Sequence, residues 1–418
     1  MRGGGVKGRH GDRAQAGGER RRGEPTSASM RRCPPAGYNI PMNAIGCYVH
    51  IPFCVRKCAY CDFNSYSGYT DGSVARYVHA LTQEIRLSPP RRAPVDTIFF
   101  GGGTPTAIPA TDEAALLRAV LETLPVSPEA EITTEANPGA MDVRHLAVLR
   151  AAGFNRISFG VQSFDGDLLK TMDRIHSAQE AKDAVKAARV AGFENVSLDL
   201  MFGLPRQTLK QWRDTLDQAL ALDTDHLSLY SLIVEEGTGF YTLRQKGRLP
   251  LPSDDLAADM FGLARETAEG AGYAQYEIAN FAKPGRISRH NLHYWRNNSY
   301  HGFGCGAASY LDGARRMNVK SPAKYAETLE SGGDLTLSVE TLTEEETMAE
   351  TMMLGLRLTQ EGVDCRRFRE RFGVDPRVKF AAEVETFTRR GLLEVTDNNL
   401  RLTPEGVFLA SEVMVAFV

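Results

Sequence analysis

Three cysteines in the run Tyr48-Val49-His50-Ile51-Pro52-Phe53-Cys54-Val55-Arg56-Lys57-Cys58-Ala59-Tyr60-Cys61-Asp62-Phe63 constrain this chain more than any other feature. Their C-x3-C-x2-C spacing follows a short apolar run that reads as a strand. A loop this short can wrap three thiolates around one face of an iron–sulfur cube. A 4Fe–4S cluster has four irons and usually takes four cysteines, so three ligands leave one iron open to another molecule. The competing reading is a structural zinc knot, which wants four closed ligands from Cys and His. Cys47 or His50 could be the fourth, yet both lie in an alternating strand where neighbouring side chains point to opposite faces. The spacing also departs from the C-x2-C pairs of zinc ribbons. The cluster is the reading carried forward.

From Ile45 onward, β-branched or aromatic runs alternate with helical patterns. Strands are expected at 45–51, 96–100, 130–135, 155–159, 195–200 and 226–232. Between them, Val74, Val78, Leu81 and Ile85 recur at helical spacing. Ser177 with Glu180, and Thr208 with Gln211, make capping boxes that open helices. Six βα units in a row predict an α/β fold, a partial (β/α)6 TIM-like barrel, whose functional groups collect at the C-terminal strand ends. The polar signals fall there. Gly101-Gly102-Gly103-Thr104 follows the second strand, Glu135 ends the third, Gln162 ends the fourth and Asp199 sits near the end of the fifth. Each alone reads as a cap or turn former; several at the same end of successive strands do not.

The cysteine triplet, with an aromatic before its last member, resembles the radical S-adenosylmethionine (SAM) superfamily. His50-Ile51-Pro52-Phe53 and Cys61-Asp62-Phe63 are similar to the branch that holds oxygen-independent coproporphyrinogen oxidase and the HemW haem chaperones. The resemblance covers about residues 44–418. It implies a 4Fe–4S cluster on Cys54, Cys58 and Cys61, with SAM on the open iron. It also implies SAM contacts at Tyr48, Gly102, Gly103, Thr104, Glu135, Gln162 and Asp199. Arg174 matches an arginine that meets a carboxylate, a task suited to a guanidinium fork. His50 matches less clearly and reads equally as a hydrogen-bonding member of the cysteine loop.

Past the barrel, His290-Asn291-Leu292-His293-Tyr294-Trp295 resembles the H-N-x-x-Y-W signature of the HemW group. His290 is the expected axial haem ligand, against the alternative of a hydrogen-bonded histidine packing a seam. Gly302-Phe303-Gly304-Cys305-Gly306-Ala307-Ala308-Ser309 resembles the family's glycine loop, with Ala308 where many relatives carry histidine. The expected layout is a barrel over 42–285, a connecting segment over 286–340 and a C-terminal α+β winged-helix-like domain over 341–418. Thr343 with Glu346 makes a third capping box there, and 392–401 reads as two strands around Asp397-Asn398-Asn399. The acidic run Glu344-Glu345-Glu346 argues for packing or docking rather than DNA binding.

Composition sets limits. At 418 residues and 42% hydrophobic content the chain can bury a substantial core. Net charge is −3, with nine Lys/Arg against three Asp/Glu in residues 1–40, so the remainder carries −9. That balance argues against a nucleic-acid partner. Residues 1–40 lack apolar periodicity and are expected to be a disordered basic extension. Met42 directly precedes the first strand and is an alternative start; Asp12, Glu19 and Glu24 weaken an organelle-targeting reading. No apolar run is long enough to cross a membrane, so any membrane association would be transient. The seven cysteines form no disulfide framework and fit a reducing cytosol.

Two functions from different classes compete. One is oxidative decarboxylation of coproporphyrinogen III by a radical SAM enzyme. The other is a haem chaperone that binds haem, 4Fe–4S and SAM, takes electrons from a donor and hands haem to an acceptor protein. The oxidase pattern places a fourth cysteine two residues after the triplet, where this chain has Phe63. The oxidase also carries a folded region before its barrel. The chaperone is the expectation.

Overall fold

A run of polar residues on one face of a strand and apolar residues on the other decides what each face can meet. In β4 (Arg156–Gln162), Arg156, Ser158 and Gly160 share one face. Ile157, Phe159 and Val161 share the other and are fully buried. The apolar faces therefore pack under helices and the polar faces line a lumen, the arrangement of a parallel barrel. A computed structural model of the chain describes residues 44–89, 92–139 and 141–418. The expectations for residues 1–40, including the basic extension and the alternative start, lie outside the described residues.

Six strands run parallel in sequence order: β1 (Ile45–Ile51), β2 (Val95–Gly102), β3 (Val126–Ala136), β4, β5 (Asn195–Phe202) and β6 (His226–Ser231). Helices such as Asp71–Leu87, Ala110–Thr123 and Leu209–Leu220 connect them. The expected capping boxes at Ser177/Glu180, Thr208/Gln211 and Thr343/Glu346 are all formed, each satisfying amide donors at a helix start. Trp212 is buried in the helical layer beside Phe202, their ring centroids 5.5 Å apart.

Both sheet edges are extended. β7 (Ala274–Glu277) and β8 (Asn280–Ala282) continue it antiparallel beyond β6. Beyond β1, β9 (Tyr300–Phe303) adds a seventh parallel strand. β10 (Ala308–Leu311), β11 (Ala314–Asn318) and β12 (Thr336–Thr341) complete twelve. Thus the segment read from sequence as a connector supplies four strands to the barrel sheet. Its strands are short and weakly patterned, so only their pairing outward from β1 reveals them.

The C-terminal segment has its own core around Met352, Leu356, Phe368, Phe387 and Leu400. Helices pack on a three-stranded antiparallel sheet of β13 (Val363–Asp364), β15 (Asn399–Leu402) and β14 (Leu393–Val395). Helix Cys365–Phe372 was not anticipated. Its arginine-rich sequence gives little apolar signal, although Asp364 caps it through the amides of Arg366 and Arg367. Among the described residues no helix is long and apolar enough to cross a membrane.

Candidate active site

The cysteine loop leaves β1 at the C-terminal end of the barrel. Cys54, Cys58 and Cys61 are all half-buried and free. Burial pushes the Cys54 and Cys61 thiols up, and each is raised further by its cysteine neighbours. The three sulfurs thus share one electrostatic environment. Arg174 Nη1 donates to Cys58 Sγ at 3.3 Å, and Thr104 Oγ1 lies 3.7 Å from Cys54 Sγ. Among the described residues, no three of His, Cys, Asp and Glu converge as a single metal ion would require. That convergence is what a zinc knot needs. A cube instead presents a separate iron to each thiolate. Cys47 and Cys305 are fully buried and away from this group; burial raises both thiols, that of Cys305 to about 12.

The base of the loop is locked by hydrogen bonds. His50 Nε2 meets the Asn64 carbonyl at 2.9 Å, so that nitrogen carries the proton. Its Nδ1 must then accept from the Tyr48 hydroxyl at 3.0 Å. Burial lowers the His50 pKa, which keeps the ring neutral. His50 therefore serves as a brace within the loop, and Tyr48 is oriented by it.

The glycine run crosses directly over this base. Gly103 N donates to Ile51 O and Thr104 N to Phe53 O, both at 2.8 Å. Gly102 has a φ of +111°, and a Cβ there would lie 2.3 Å from the His50 ring. At Gly103 a Cβ would lie 2.7 Å from Phe53 O. Gly102 is required by its positive φ and the His50 ring against it, and Gly103 because backbone passes against backbone. The amides of Gly102, Gly103 and Thr104 are all engaged within the protein, Gly102 N with Glu135 Oε2 at 3.2 Å.

Glu135 and Asp199 face the lumen from either side of β4, whose Ser158 donates to Asp199 at 3.1 Å. Burial, reinforced by Asp199, raises the Glu135 carboxyl to about 8. Burial also raises Asp199, against hydrogen bonds from Ser228 and Ser158. Gln162 follows a bulge in β4 with φ +65°, its amide folded back towards Gly160. Arg174 bridges Gly160 O, Asn137 Oδ1 and Cys58 Sγ. His176 supports it by bonding Asn137 Oδ1 and Val161 O. The structure therefore gathers Tyr48, Gly102, Gly103, Thr104, Glu135, Gln162, Arg174, Asp199 and the three cysteines at one end of the barrel.

His290 lies elsewhere. Helix Arg289–Trp295 closes the opposite, N-terminal end, with the amides of Arg289 and His290 held by the Glu131 carboxylate at 3.1 and 3.0 Å. The His290 ring is 1% exposed, with Nδ1 on Thr97 Oγ1 at 2.9 Å and Nε2 on Tyr294 OH at 3.0 Å. It stacks on Phe99 and sits over Gly46. From Gly46 to Ile51 the strand rise gives roughly 16 Å of separation from the cysteine end. With both nitrogens bonded, the ring has none open to iron. This geometry matches the alternative reading, a hydrogen-bonded histidine packing a seam.

Arg156 was missed from the sequence. It is 2% exposed at the start of β4, and its charge partly offsets the burial that raises the Glu135 and Asp199 carboxyls. An arginine at a strand start reads as a solvated terminus; only barrel closure turns it inward. Phe63, which stands where the oxidase has its fourth cysteine, is 59% exposed. With Val55, Ile175 and Ile233 it leaves exposed apolar side chains around this end.

A family model for the radical SAM superfamily matches residues 48–219, and one for the HemN C-terminal domain matches 342–409. The Bacillus subtilis heme chaperone HemW is 42% identical over 374 residues, 89% of this chain and 98% of that protein. This chain belongs to the HemW family. The Escherichia coli HemW is 43% identical over 64% of this chain and 70% of its own length. The mouse mitochondrial radical S-adenosyl methionine domain-containing protein 1 is 34% identical over 89% and 86%. The solved Escherichia coli coproporphyrinogen III oxidase HemN superposes with a TM-score of 0.77 over 90% of each chain at 24% identity, which is likeness of fold.

Membership of the radical SAM superfamily implies a 4Fe–4S cluster and SAM, and the residues present fit both. Three half-buried thiols lie on one loop in a common field. Beside them, a side-chain-free glycine ledge and two half-buried carboxylates face one lumen.

Proposed function

We propose that this HemW family member is a haem chaperone: it binds haem, carries a 4Fe–4S cluster with SAM, and passes haem to an acceptor protein. The observation that carries the reading is the 42% identity spanning 98% of a protein named for that role. Phe63 at the position of the oxidase's fourth cysteine supports it.

Cys54, Cys58 and Cys61 would hold the cluster, and Tyr48, Gly102, Gly103, Thr104, Glu135, Gln162, Arg174 and Asp199 would hold SAM. When bound, cluster and SAM supply one-electron reductive chemistry, fed by an electron donor. The chain's own contribution is electrostatic and steric. Glu135 and Asp199 offer half-buried carboxylate acceptors to ligand hydroxyls, and these acceptors are strong when ionised. Arg174 places a fixed cation between the cysteine loop and the lumen. Gly102 and Gly103 keep the approach to the loop free of side chains.

The test is anaerobic purification followed by two assays in parallel: haem titration by absorbance, and conversion of coproporphyrinogen III with reductant and SAM. Haem binding without conversion is expected. Phe63→Cys should not create oxidase activity, because contacts outside the loop would still be missing. Robust conversion by the wild-type chain would establish the oxidase instead.

A further inference from the structure

Strand β1 is flanked in the sheet by β2 and β9, and both parallel neighbours run into glycine turns at the cysteine end. The turn after β2 presses on the foot of the cysteine loop at Ile51 and Phe53. The turn after β9, Gly304-Cys305-Gly306, presses on the same foot from the other side. Gly304 has a φ of +100°, and a Cβ there would lie 2.8 Å from His50 O. Gly306 has a φ of +70°, and a Cβ there would lie 2.3 Å from Asn64 Nδ2. Both positions combine a left-handed backbone with an approach too close for any side chain.

Four side chains fasten this turn and its strand to the loop. Asn64, three residues past Cys61, donates from Nδ2 to Cys305 O at 3.1 Å and to Lys320 O at 3.0 Å. Its own carbonyl takes the His50 Nε2 proton. Tyr66 places its hydroxyl 3.2 Å from the same Lys320 carbonyl, while its backbone oxygen holds the Cys54 amide at 3.0 Å. Tyr77, buried on helix Asp71–Leu87, donates to His50 O at 2.8 Å and accepts from Cys305 N at 3.1 Å. Two turns along that helix, Glu84 accepts from Gly304 N and Asn318 Nδ2, both at 2.7 Å, and from Tyr325 OH at 2.5 Å. The ties that reach the turn and Lys320 span 220 to 256 residues of sequence.

We infer that the Gly304–Gly306 turn is a positioning element for the iron–sulfur cluster, working through Asn64, Tyr77 and Glu84. None of these three side chains bonds a sulfur of Cys54, Cys58 or Cys61 among the described residues. They act at one remove, by fixing where the cysteine loop leaves β1 and where it returns. The three thiols are thereby set relative to Glu135, Asp199 and Arg174 on the other strands. The inference rests on the reading that these cysteines carry the cluster.

The test compares Asn64→Ala, Tyr77→Phe and Gly306→Ala with the wild-type full-length protein under anaerobic conditions. Gly313→Ala is the control: its φ is +76°, yet nothing lies within 4 Å of the added Cβ, so it carries strain without the contact. The first readout needs no cluster: the rate at which iodoacetamide alkylates Cys54, Cys58 and Cys61 in the metal-free protein, followed by mass spectrometry. Each of the three variants should raise it about tenfold, as expected for a local opening equilibrium that loses a buried pairing. The second is the midpoint potential and electron paramagnetic resonance spectrum of the reconstituted cluster, which should shift in the three variants and match wild type in Gly313→Ala. Far-UV circular dichroism checks that each variant is folded. In Asn64→Ala/Gly306→Ala the group struck by the added methyl is gone, so the effect should be smaller than the two single effects combined. Simple additivity would overturn the inference, as would wild-type alkylation rates and potentials in Tyr77→Phe and Gly306→Ala, with the cluster reading left intact. A wild-type protein that takes up no cluster would overturn both.

Discussion

Arg174 Nη1 donates to Cys58 Sγ across 3.3 Å, joining residues 116 apart in sequence. The same guanidinium bonds Asn137 Oδ1 at 3.0 Å, so one fixed cation links the cysteine loop to the strand ends. A cation beside a cluster stabilises its more negative, reduced form. Arg174→Gln should therefore assemble a cluster on the three cysteines but lower its reduction potential and weaken SAM. Redox titration by electron paramagnetic resonance measures the first effect and equilibrium dialysis the second. An unchanged potential would make Arg174 a purely structural tie.

The cysteine assignment is sharply testable. Cys54→Ser, Cys58→Ser and Cys61→Ser should each abolish the broad 4Fe–4S absorption, because only three protein thiolates are available. Cys47→Ser, Cys305→Ser and Cys365→Ser should retain it. These thiols are fully buried in packed cores, whereas Cys54, Cys58 and Cys61 are half-buried on one loop. Loss of the cluster in Cys47→Ser alone would restore the four-ligand reading.

Glu135 makes a pH prediction. Its carboxyl is held up to about 8 by burial and by Asp199, so the folded protein keeps a proton that the unfolded chain releases at lower pH. Stability without ligand should then fall as pH rises from the ordinary carboxylate range through about 8. Glu113, also raised to about 8 by burial, acts in the same direction. The Tm difference between wild type and Glu135→Gln isolates the Glu135 part and should grow in favour of the variant across that window. SAM affinity should rise with pH over the same range, because only the ionised carboxylate is a full acceptor. Glu135→Ala and Asp199→Ala should each cost about 1.5–3 kcal/mol, or roughly 10- to 150-fold in SAM affinity. Flat pH profiles and unchanged titrations would reduce both residues to turn formers.

His290 is expected to matter for stability and not for the haem spectrum. His290→Ala orphans Thr97 Oγ1 and Tyr294 OH and removes a ring stacked on Phe99. A cost of about 1–3 kcal/mol follows from each buried group left unpaired. Thermal unfolding measures it, and the haem absorption spectrum should be superimposable on wild type. A shifted Soret band would return His290 to the iron.

The periodicity of apolar residues was enough to place all six barrel strands, each overlapping the observed element, and the capping boxes were legible because they are contacts between residues three apart. The cysteine loop and its glycine ledge were legible for a related reason: their chemistry is written in spacing. What the sequence could not contain was which distant groups face one another. Arg156 looks like a strand terminus until closure of the sheet turns it into the lumen. His290 and Trp295 share one short motif, yet one ends bonded inside a seam and the other against the Arg357 guanidinium, because helix geometry points them in different directions. Strands β9–β12 are too short to announce themselves and exist through pairing, β9 with β1 and the others outward from β9. Local pattern determined the elements and the cysteine loop; burial, pairing and long-range hydrogen bonds decided which polar side chains are open to a ligand and which are already spent.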